Sequence, residues 1–69
     1  MTEESRIMSD SEYNITKQLT KELEFLWNVD GYIKDAEEEG NQECAKLFRE
    51  IKEDEERHAK KLKDLLLKK

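Results

Sequence analysis

Glu55 and His58 stand three residues apart in the run Glu55-Glu56-Arg57-His58, within a segment of helical periodicity. Residues at that spacing share one helix face, so the carboxylate and the imidazole can hold a single metal ion from the same side. Glu22 joins them through the apolar pattern of the preceding segment. From Ile15 the inward series reads Ile15, Leu19, Glu22, Leu26, Val29, Ile33 and Ala36, in alternating four- and three-residue steps, which puts Glu22 in a core slot. The second segment repeats the alternation through Cys44, Phe48, Ile51, Glu55, His58, Leu62 and Leu65. A buried carboxylate with no partner costs several kcal/mol. Three ionisable groups on apolar seams therefore call for one shared partner, and a metal ion serves all three.

The elements that position them are two helices. Residues 1–10 carry no helical periodicity and read as a flexible N-terminal tail, followed by a helical hairpin over residues 11–69. Asp10 or Ser11 is the expected cap of a first helix over about 12–39, and Gly40 supplies the left-handed residue that ends it. Asn41 then caps a second helix over about 42–67. So short a connection makes the helices antiparallel. Gly31 interrupts the first helix at a cost of about 1 kcal/mol relative to alanine, which points to close approach of a neighbouring helix or to a local kink. Counting from Gly40, Glu22 lies 18 residues back, Glu55 15 forward and His58 18 forward. At about 1.5 Å per residue all three sit roughly 23 to 27 Å from the turn, at one level of the hairpin.

Composition sets the outer bounds. A chain of 69 residues, 45% charged and 35% hydrophobic, cannot enclose a sufficient core with two helices, and self-association is the simplest remedy. The net charge of -5 argues against nucleic acid as a partner and is compatible with divalent cations. The single cysteine, Cys44, cannot close an internal disulfide and fits a reducing, cytoplasmic setting as a half-buried packing residue. The longest apolar run, Leu65-Leu66-Leu67, is too short for a membrane span.

One hairpin supplies too few donors for a closed site. Two hairpins about a twofold axis supply four glutamates and two histidines, the set used by carboxylate-bridged two-metal four-helix bundles. Oxygen-rich ligation with one nitrogen per ion suits iron, with manganese as an alternative, better than structural zinc. In such a centre Glu55 is the natural bridging carboxylate and Glu22 a terminal one. Leu23 and Trp27 lie well round the first helix from its seam, where a dimer leaves them wet, so assembly beyond the dimer is expected through them. A second reading stays open: a structural dimerisation module in which Glu22, Glu55 and His58 form a buried polar network. Metal binding without turnover is a third.

The segments Ala36-Glu37-Glu38-Glu39-Gly40, Ala45-Lys46-Leu47-Phe48 and Glu53 through Leu62 resemble the first helix pair of rubrerythrins, in the ferritin-like superfamily. The presence of a single helix pair, with Glu22-Leu23-Glu24, Trp27 and Tyr32 in the first helix, is similar to the encapsulated ferritins. The resemblance implies an all-α fold, a hairpin that dimerises into a ferritin-like four-helix bundle. It implies a di-iron ferroxidase centre between subunits, with Glu22, Glu55 and His58 as both ligands and catalytic groups. The implied activity is oxidation of Fe(II) by dioxygen or peroxide, in iron storage or detoxification. The resemblance further implies a ring of dimers and residence inside an encapsulin shell.

Overall fold

A computed structural model describes residues 7–68. Two helices, α1 (Asp10–Glu38) and α2 (Gln42–Leu67), form an antiparallel hairpin, and no strand occurs among the described residues. This is the all-α hairpin that the apolar periodicity calls for.

The start of α1 differs from expectation. Its cap is Ser9, whose Oγ accepts from the Glu12 N–H at 3.1 Å while Glu12 Oε1 accepts from the Ser9 N–H at 2.8 Å. This reciprocal pair satisfies two otherwise orphaned donors at once. Ser11 and Asp10 are followed three residues later by Asn14 and Tyr13, which cannot close the same box. The remainder of the expected tail, residues 1–6, lies outside the described residues.

The turn follows from one glycine and one asparagine. Gly40 adopts φ 74°, and the Gly40 and Asn41 N–H groups donate back to the Glu37 and Ala36 carbonyls at 3.0 and 2.8 Å. That is the double closure of a Schellman motif. Asn41 then accepts the Cys44 N–H on its Oδ1 at 3.1 Å and opens α2. One residue thus ends α1 with its backbone and starts α2 with its side chain.

Among the described residues, Val29, Ala36, Ala45 and Ala59 are the buried apolar ones, and Glu22 is buried with them. The hairpin measures 52 × 20 × 14 Å, so its thin dimension is little more than one helix diameter. The α1 seam lies as the periodicity requires. The α2 seam is rotated from its expected line: Ala45 and Ala59 are its buried residues, while Cys44 is half-buried and His58 exposed. Cys44, Ile51, His58 and Leu65 consequently form a row along one edge, and Leu65 is exposed.

The two broad faces differ. By helical spacing, one carries the ring contacts Phe25–Tyr32 (centroids 6.2 Å apart) and Tyr32–Phe48 (5.4 Å) together with the Ile51–His58–Leu65 row. The other is crossed by the ion pairs Arg49–Glu37 and Lys52–Asp30, the latter at 2.8 Å. Leu23 and Trp27 stand exposed on this second side, Trp27 by 88%.

Gly31 makes no close approach to another helix: a Cβ there meets nothing within 4 Å, and α1 runs through it unbroken. Gly31→Ala is expected to raise the unfolding free energy by up to about 1 kcal/mol, measured by urea denaturation. A lower denaturation midpoint would instead show that another chain packs against this position.

Candidate metal centre

The hairpin brings Glu22, Glu55 and His58 together, with one potential ligand atom from each lying within 4.8 Å of the other two. Glu22 reaches the cluster from α1, on a turn anchored by the Val29 and Ala36 seam, while Glu55 and His58 reach it from the same turn of α2. Their burial is graded. Glu22 is only 7% exposed, whereas the Glu55 side chain is 27% and the His58 side chain 55% exposed. The core slots expected for Glu55 and His58 are therefore edge positions, a direct result of the rotated α2 seam. The donors lie across the helix pair, with Glu22 buried and His58 open to solvent on the edge it shares with Ile51 and Leu65 by helical spacing.

Glu22 Oε2 accepts a hydrogen bond from Gln18 Nε2 at 2.7 Å, whereas no donor reaches the buried Oε1. Across the helix pair the Glu22 carboxyl meets Glu55, which also hydrogen-bonds His58 Nδ1 at 3.2 Å through its Oε1. Two carboxyl groups in contact are both acceptors, so a proton or a cation must stand between them. Of the two, Glu22 is the one that holds a proton more readily. Burial, and then the hydrogen bond to Glu55, raise its pKa above the ordinary 4.5. The same hydrogen bond, followed by that from His58, lowers the pKa of Glu55. Glu55 is the central group of the three, with a neighbour on each side.

Oxygen donors with one imidazole nitrogen suit iron or manganese. The unpartnered Glu22 Oε1 is the kind of buried atom that a cation would satisfy. Gln18 is the neighbour that periodicity alone overlooks. Its signal is the spacing of four residues before Glu22, where a helical amide can reach a carboxylate.

The rubrerythrin family model matches residues 27–66, more than half of the chain. The chain belongs to the rubrerythrin family. Rubrerythrins are ferritin-like, iron-binding proteins. The stretch of this rubrerythrin-family chain that matches contains Glu55 and His58 and begins after Glu22. No curated protein and no solved structure matches the chain.

Linkage gives the raised Glu22 pKa a measurable consequence. A carboxyl held above its unfolded value contributes stability that is present below about pH 4.5 and is lost as pH rises through the folded value. Glu22→Gln keeps the shape and still donates to Glu55. In chelator, this variant should be more stable to urea than the parent at pH 7, with the difference shrinking as pH falls towards 4.5. Equal stability at pH 7 would mean that burial of Glu22 carries no penalty.

Proposed function

We propose that two hairpins pack through their aromatic faces and build between them a two-metal centre that oxidises Fe(II) with dioxygen or peroxide, in cytoplasmic iron storage or detoxification. The observation that carries this reading is the convergence of Glu22, Glu55 and His58 in one hairpin. One copy has three donors and an exposed edge; a twofold partner on that edge doubles the donors and covers it. Membership of the rubrerythrin family supports iron over other cations.

Each residue has a role set by its surroundings. Glu55, flanked by both other donors, is suited to span two ions. Glu22 offers its unpartnered Oε1 from the buried side, and His58 offers a ring nitrogen from the wet side. A cation bound by Glu22 and Glu55 would compete with any proton the pair holds, so metal affinity would fall as pH falls. Fe(II) is the substrate: two ions give up one electron each, and the pair, with two protons, takes dioxygen to hydrogen peroxide or hydrogen peroxide to two waters. Phe25, Tyr32 and Phe48 provide the apolar cover that a partner hairpin would seal against. Leu23 and Trp27 stay on the outer face of such a dimer, where we place its further assembly into a ring.

Among the described residues no helix is long and apolar enough to cross a membrane. The Glu55–His58 hydrogen bond also suits the competing reading, a polar network that serves only dimerisation. One variant separates the two. Anaerobic Fe(II) titration of the apoprotein should saturate near two ions per dimer, and air should then develop the near-ultraviolet absorbance of ferric product. Glu55→Ala should abolish both signals and leave far-ultraviolet circular dichroism unchanged. Loss of helix in Glu55→Ala, with no iron signal in the parent, would establish the structural network instead. In the same preparations, Trp27→Ala should reduce the sedimenting mass to that of the dimer; an unchanged mass would remove Trp27 from the assembly contact.

A further inference from the structure

We propose that Gln18 is a positioning residue of this centre, holding one oxygen of Glu22 so that the acid binds metal through the other alone. The inference rests on the metal-centre reading above. Gln18 lies one helical turn before Glu22, and its Nε2 donates to Glu22 Oε2 at 2.7 Å, a short and charge-assisted bond when the acid is ionised. The other oxygen, Oε1, is buried without a donor. The two oxygens of one carboxylate are thus in unequal surroundings: one is engaged by an amide of its own helix, and no donor reaches the other.

A carboxylate chelates an ion only when both oxygens turn towards it. The Gln18 amide opposes that turn, because chelation would break its hydrogen bond at a part-buried site. Glu22 is thereby kept as a one-oxygen ligand, and the ion it serves retains a coordination position that a chelating carboxylate would fill. In a redox centre such a position is where a small co-reactant can enter. Gln18 also lines, with Glu22, His58, Lys61, Leu62 and Leu65, an open hollow of about 300 Å³. It therefore stands at the wall of the site, without contributing one of the converging donors.

Hydrogen-bond partners of metal ligands orient them, and their loss typically costs about 10- to 100-fold in metal affinity. Cobalt(II) is a suitable probe, because its visible absorption is intense at low coordination number and weak at six. Gln18→Met preserves length without a donor, and Gln18→Lys restores a donor. Gln18 is exposed, so both variants should keep the parental circular dichroism. Gln18→Met is expected to bind cobalt(II) at least about tenfold more weakly, with a weaker visible band, and Gln18→Lys to recover the parental band. A Gln18→Met spectrum identical to the parent's, whatever the affinity, would overturn the selection of one oxygen. Glu22→Gln is the control for the underlying reading. If it binds cobalt(II) as the parent does, or if the parent binds none, the metal centre itself is wrong, and Gln18 falls with it.

Discussion

A buried carboxyl facing a second carboxyl is the constraint around which this hairpin is arranged. Glu22 occupies a position where the heptad pattern calls for an apolar residue, and burial there favours its protonated form, raising its pKa above the ordinary value. That arrangement is inferior to a leucine for stability alone. It becomes useful when a cation binds, because the ligands are already assembled. Metal loading, protonation and folding stability are thus linked through one pair of side chains.

The rest of the fold keeps that pair in register. Gly40 and Asn41 fix the hairpin turn, and from there uninterrupted helix carries Glu22 and Glu55 to the same level. Ala45 and Ala59 are the buried residues of α2, which leaves His58 on the exposed edge. A layer 14 Å thick has no interior in which to hide a metal, so a face bearing rings, an imidazole and an acid needs covering. The opposite face already has its crossing ion pairs at Arg49–Glu37 and Lys52–Asp30.

Much of this was legible in the residue pattern, and the exceptions have physical causes. Glu22 stood out because one acid broke an otherwise apolar series, and the level of the three donors followed from helix rise alone. The burial of His58 was misjudged because periodicity locates an apolar stripe but not its centre. A wide stripe on α2 permits several rotations, and the residues it buries are alanines, weak in any hydrophobicity count. Ser9 caps α1 in place of Asp10 or Ser11 because only it closes the reciprocal bond with Glu12. Gln18 was invisible to a search for ligands, since its contribution is a hydrogen bond to a ligand. Gly31 suggested a close helix contact that the hairpin does not make.

Diffraction at the iron absorption edge, from crystals grown with Fe(II), tests the central claim most directly. Two anomalous peaks are expected beside a molecular twofold axis, each bounded by Glu22, Glu55 and His58 side chains drawn from both subunits. Iron confined to the acidic outer surface, with these three side chains free of metal or remote from any partner subunit, would contradict it.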